Sequence, residues 1–346
     1  MLVGDSGETI EYLFPSLLFK IGSRSREKKT LPKIESDEYF DEVLKNFSGY
    51  IAVDEVYDGR FCILSLVDNR TYKRLMFRVL EKSPTSEDIL ELFQSFRAIL
   101  ERRGLTLHGI TTDGSALYTE PVQTVFPGVW HQICEFHVKQ EVNKSVIKVV
   151  AQTRQALTRM KVKRPKRGRP STSEEKSIVR KNERIQSKIG ALFEHRYLFV
   201  QKKLSAKERR TFLEITRGMP ELRTLRESVE AVYCLYDRRC CRATALRKLH
   251  QLRRKLKRFK GLSQRLKKIE SPTLDRSLFF LDDKKLPSTS NAVERSNRRF
   301  RKMQKTVYRV RTPENIRYRI ALDMLRDGYL PLRYQTIKSL HQERAG

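Results

Sequence analysis

Three closely spaced stretches decide the fold: Tyr50–Tyr57 (YIAVDEVY), Phe61–Asn69 (FCILSLVDN) and Lys73–Leu80 (KRLMFRVL). Each is a strand-length run rich in apolar, β-branched or aromatic residues. Asp58-Gly59 separates the first two, and Asp68-Asn69 opens the next turn, so the three read as an antiparallel meander. Downstream, Ile89, Leu92, Phe93, Phe96, Ile99 and Leu100 recur at helical spacing, with Ser86 as a candidate cap and Gly104 closing the helix. An apolar run, Leu105–Thr112, ends in Asp113-Gly114. A short helix near Pro121–Phe126, a strand-like run Val129–Cys134 and a helical pattern over His137–Leu157 complete the order βββαβαβα. This predicts an α/β fold with a mixed five-stranded sheet flanked by helices.

The charge is unevenly spread. The chain has 346 residues and a net charge of +31. Residues 1–150 hold 19 basic and 22 acidic residues, residues 151–270 hold 36 and 11, and residues 271–346 hold 17 and 8. A near-neutral folded unit is therefore interrupted by a basic module, which calls for a polyanionic partner. From Glu174 to about Lys268 the pattern is helical, as in Leu249, Leu252, Leu256 and Phe259 with Arg253, Arg254, Lys255, Lys257 and Arg258 between them. No apolar run approaches the roughly 18 residues of a membrane span, so a membrane partner is not expected. Tyr12–Ile21 is apolar but broken by Pro15 and lacks a small-residue cleavage site. The five cysteines are odd in number and form no C-x-x-C, which reads as a reducing cytoplasm.

Asp54 is out of place in an apolar strand unless it is paired or holds a cation. Alternation sets Ala52, Asp54 and Val56 on one face of that strand and Val53, Glu55 and Tyr57 on the other. Asp113 ends a second apolar run, where ligands bind in helix-covered sheets, although a turn role explains it equally simply. Glu294 falls in the first turn of a helix (SNAVERSNRRFRK) beside Asn291, Asn297 and Arg298, where a dipole role is the plainer reading. Together, three carboxylates from separate elements suit one or two Mg2+ ions and phosphoryl transfer.

Four stretches carry a resemblance: YIAVDEVYDG around Asp54, ITTDGSALYTEP around Asp113, FPGVWHQICEFHV with Cys134 and His137, and TSNAVERSNRRFRKMQK around Glu294. Over roughly Gly49 to Asp327 the chain resembles DDE transposases with an RNase H-like core, most closely the Mutator-type group and its bacterial insertion-sequence relatives. The resemblance implies that Asp54, Asp113 and Glu294 bind Mg2+ or Mn2+ and drive DNA strand cleavage and transfer. It also implies a helical insertion between the second and third acids, and the 181-residue interval from Asp113 to Glu294 holds the basic block. Cys134 and His137 match the C-x-x-H signature of that group. Packing, support of the active site and a structural zinc with His131 stay open for them, and Asn291 is the other supporting candidate.

The expected organisation is an N-terminal arm (1–48), the first part of the core (49–157), a basic helical insertion with its linker (158–270), the last part of the core with the Glu294 helix (271–330) and a tail (331–346). Transposases of this class usually carry an N-terminal DNA-reading domain, and residues 1–48 are short for one, as in a truncated copy or in a protein that reads the element ends with other parts. Arg164–Pro170 (RPKRGRP) reads either as an AT-hook-like minor-groove segment through Arg164, Lys166, Arg167 and Arg169 or as a solvated linker. Arg295, Arg298, Arg299, Arg301 and Lys302 follow Glu294 and are candidates to hold the DNA backbone. The expected partners are DNA, as element ends and target, and a second copy in a homodimer, in a nucleoid-associated cytoplasmic setting. The rival readings are a DNA-binding remnant without catalysis and an RNase H-like nuclease that cuts without joining.

Overall fold

In a computed structural model the described residues are 33–163, 170–257, 260–307 and 312–329. The meander forms as the sequence predicts: β1 (Tyr50–Asp58), β2 (Phe61–Asp68) and β3 (Arg74–Leu80) pair antiparallel. Gly59 turns the first hairpin with a φ of 62°. Asp68 builds the second turn, its carboxylate accepting from the backbone N–H groups of Ser48, Arg70 and Thr71 at 2.7–2.8 Å. β4 (Gly109–Thr112) and β5 (Trp130–Ile133) then add in parallel, giving the order β3-β2-β1-β4-β5. Three antiparallel strands followed by two helix-connected parallel ones make the RNase H-like α/β sheet.

The helices differ from the sequence reading in detail. Residues before the meander show no clear period, yet α1 (Asp37–Leu44) forms there, capped by Ser36. The cap of α2 (Ser86–Glu101) is Thr85, not Ser86, because Thr85 and Asp88 exchange side-chain and backbone hydrogen bonds in a capping box. Its stripe Ile89, Leu92, Phe93, Phe96, Ile99 and Leu100 is buried as expected. Each such side chain contributes about 1.5–3 kcal/mol. α3 (Thr119–Val125) and α4 (Glu135–Arg159) follow. The basic block is several helices: α5 (Ser173–Glu194), α6 (Ala206–Ile215), α7 (Pro220–Leu235) and α8 (Arg242–Lys257), then two short ones, α9 (Lys260–Arg265) and α10 (Lys267–Glu270), and α11 (Pro272–Arg276) opens the return segment. The chain closes with α12 (Asn291–Val307) and α13 (Pro313–Tyr329).

The two sheet faces carry different loads. α2 and α3 cover one, in a core with Val53, Leu64 and Leu66 that also takes in Ile316 and Ile320 of α13. On the other face, Ala292 and Val293 of α12 pack on Ala52 and Val67. The return segment from the helical block crosses this same face. Gln132 on β5 donates to the Ser277 carbonyl at 2.7 Å and accepts from the Phe280 N–H at 3.0 Å. Tyr50 donates to Asp283 at 2.6 Å. The core of the helical block reaches the sheet through Tyr50, Ile133 and Leu286, so block and sheet share one apolar cluster. No helix among the described residues is long and apolar enough to cross a membrane.

Candidate active site

The sheet register brings the first two acids together. β1 and β4 run parallel with Ala52 beside Thr111, so two steps further on Asp113 emerges next to Asp54. Gly114 makes the exit, with a φ of +95°, and a Cβ there would lie 2.7 Å from Ile133. Asp113 accepts from the Ser115 N–H at 2.8 Å, which fixes its carboxylate at the strand end. Asp54 is half-buried and points to the α12 face, where Asn297 donates to its Oδ2 at 2.9 Å. Burial, with the negative charges of Glu55 and Asp113, pushes the Asp54 carboxyl up to about 7.

Glu294 reaches the same region from α12, with Ser290 donating to its Oε1 at 3.1 Å. Cys134 and His137 also approach it. Among the described residues, these three form the one group of three such side chains whose donor atoms all lie within 4.8 Å of one another. Cys134 is not helical. It is the residue before α4, with φ −57° and ψ 118°, and its sulfur accepts from the Ser290 N–H at 3.4 Å. Burial works to raise the Cys134 thiol, but hydrogen bonds from His137 and Ser290 outweigh it and hold the thiol below its usual range. The hydrogen bond to Cys134 raises His137 to about 9, against the effect of burial and with help from the charges of Cys134, Asp113 and Glu294. His137 also acts electrostatically on Asp54. The His137 ring therefore interacts electrostatically with all three acids. His131 lies elsewhere, buried against Thr112 at 2.9 Å and pushed down to about 4 by burial and by Arg276. It does not join Cys134 and His137.

A cleft of about 80 Å³ opens beside Asp113, His137, Glu141 and Thr273. On the opposite face of β1, Glu55 accepts a short hydrogen bond from the buried Tyr118 hydroxyl. Burial raises the Glu55 carboxyl, against the pull of that bond.

A family model for transposases, that of the ISL3 family of the DDE class, matches residues 51–320. The chain belongs to the ISL3 family of DDE transposases. It is thus a DNA transposase of an insertion sequence, as its motifs imply. The Mutator-type assignment is corrected, since the matching model is the ISL3 one and the four stretches carry the class without the subgroup. No curated protein sequence matches the chain.

The basic residues of this transposase are placed unequally. Arg298, Arg301 and Lys302 on α12 are exposed. Arg295 is exposed as well and stacks over the Tyr72 ring at 4.6 Å. Arg299 instead turns to α13, pairing with Asp323 at 3.3 Å and with Asp327. Asn291 is the exposed first residue of α12 and makes none of the hydrogen bonds that hold the acids. Its neighbour on the Glu294 face, Asn297, is buried and bonds Asp54. Arg164, Lys166, Arg167 and Arg169 lie outside the described residues. Sequence reasoning placed Asn297 on the Glu294 face but gave it no role. The Ser290 and Tyr118 contacts carry no local sequence signal.

Proposed function

We propose that Asp54, Asp113 and Glu294 are the catalytic acids of this transposase and hold a divalent cation, Mg2+ or Mn2+. The observation that carries this is the Asp54 carboxylate, half-buried beside Asp113 and gripped by Asn297. Its raised pKa marks negative charge crowded into a partly desolvated site, which a hard cation relieves, and the donors at Asp54, Asp113 and Glu294 are all oxygen. When bound, such a cation activates an attacking oxygen and stabilises the leaving one. Asn297 orients Asp54, Ser290 orients Glu294, and the His137 imidazolium balances the remaining negative charge.

In this reading the core spans 49–157 and 271–330, the basic insertion 158–270, and the arm and tail lie outside it. Arg295, Arg298, Arg301 and Lys302, with Arg164, Lys166, Arg167 and Arg169, hold DNA phosphates beside the site. Joining two element ends calls for two active sites, so the working unit is a homodimer on the nucleoid. The test is cleavage and joining of element-end DNA with Mg2+ or Mn2+. Asp54→Asn, Asp113→Asn and Glu294→Gln are expected to lose at least 100-fold in rate while keeping DNA affinity. Full activity in any of the three sinks the assignment, and cutting without a joined product favours a nuclease.

A further inference from the structure

Large aromatic rings left in water on a folded protein call for a partner. Three of them share one surface here: Phe136 is 54% exposed, Phe193 51% and Tyr197 60%. Arginines interleave them. The Arg196 guanidinium lies 4.5 Å from the centroids of both the Phe193 and Tyr197 rings, and Arg154 lies 4.5 Å from Phe193. Between Phe136 and Tyr197 runs a groove of about 530 Å³, walled by Ile147, Val200 and Tyr233. Asn143 donates to the Tyr233 hydroxyl at 3.0 Å, and Lys139 and Lys144 also line the groove, paired with Glu135 at 3.4 Å and Glu141 at 2.9 Å.

The strip has a direction. Phe136 precedes His137 in the first turn of α4, and their rings meet edge to face at 5.7 Å. Arg154 lies 18 residues further along the same helix, about 27 Å away at 1.5 Å per residue. The row of rings and guanidinium groups therefore starts beside the candidate catalytic acids and leads away along α4 towards the basic block.

We infer that this surface is a track for unpaired DNA strand, with bases stacking on Phe136, Tyr197 and Phe193 and phosphates meeting Arg196 and Arg154. Duplex DNA keeps its bases stacked inside and offers these rings nothing. An unpaired strand offers a π-face at every nucleotide, and its charge complements the cations that separate the rings. The inference rests on the DNA-transposing activity but not on which side chains hold the metal.

The test is binding of a labelled 20-nucleotide oligothymidylate and a 20-base-pair duplex to the full chain, without divalent metal. Moderately raised salt screens phosphate contacts and leaves stacking. Phe136→Ala, Phe193→Ala and Tyr197→Ala are each expected to weaken single-strand binding by about 5- to 100-fold, from the 1–3 kcal/mol that one stacked base contributes. Duplex affinity should stay within about twofold, and Tyr197→Phe, which keeps the ring, should bind as the parent does. The rings are exposed, so melting temperatures should not move. Unchanged single-strand binding in all three alanine variants overturns the track, as does parallel loss on both DNAs. Because no metal is used, failure here is separable from failure of the proposed acids.

Discussion

Asn297 on α12 donates a 2.9 Å hydrogen bond to the Asp54 carboxylate on β1, across 243 positions of sequence. The bond joins the helix that carries Glu294 to the strand that carries Asp54. It fixes the Oδ2 atom of the carboxylate. Replacing Asn297 with Ala is expected to cost about 1 kcal/mol of stability and about tenfold or more in strand-cleavage rate. Equal rates for the variant and the parent at saturating metal would remove Asn297 from the machinery.

Asp54 makes stability depend on pH. Its folded-state pKa of about 7 stands above the usual 3.8, so the folded chain binds more protons than the unfolded one between those values. Stability at this site is then full at low pH and falls as pH rises from about 4 through 7. Asp54→Asn removes the titration and can still accept from Asn297. In a chelator, the variant should match the parent near pH 4 and exceed it near pH 8, by on the order of 2–4 kcal/mol. Denaturant melts across that range decide the matter, and parallel curves would contradict it.

Arg299 should behave as a structural residue. Its guanidinium pairs with Asp323 and Asp327, near the fully buried Arg74, whose nitrogens have no hydrogen-bond partner. Burial lowers the Arg74 pKa to about 10, while the charge of Asp323 opposes that fall. Arg299→Ala leaves two half-buried carboxylates poorly paired, so it is expected to destabilise by about 2–4 kcal/mol. Arg298→Ala and Arg301→Ala should hardly change stability, and each should lower the salt slope of DNA binding by about 0.9. Urea titrations and salt-dependent binding, run on all three, separate the roles.

Gly114 positions Asp113. An alanine there would bring its Cβ to 2.7 Å from Ile133 at a φ of +95°. The strain should cost about 1–3 kcal/mol. The strand end must also shift, so activity should fall by more than the stability loss explains when assayed well below the melting temperature. An active Gly114→Ala enzyme would show that Asp113 tolerates displacement.

What was legible in the sequence is what local spacing encodes. The α2 stripe and the meander follow from side-chain period, and Asp54 stood out because a carboxylate interrupts an apolar strand. Asp113 and Glu294 had plain local explanations, and the family resemblance gave them their role. The contacts that lock the site were not legible. Gln132 spans from β5 to the return segment, and Tyr118 meets Glu55 from a different element. Arg299 looked like its exposed neighbours because nothing in α12 itself announces the acids of α13. Asn291 and Asn297 both sit near Glu294 along the helix, and only packing against β1 shows which one turns inward. The cap of α2 was misplaced by one residue because Thr85 and Ser86 are both good caps and only the reciprocal bond to Asp88 decides.

The helical block and the sheet share one apolar cluster, and α12 comes after the block in the chain. On the ribosome, Asp54 therefore waits 243 residues for Asn297, about 10–50 s at ordinary elongation speeds. The strand that carries Asp54 is thus made long before the helix that carries Asn297 and Glu294, and the proposed acids can meet only after the whole helical block has been synthesised.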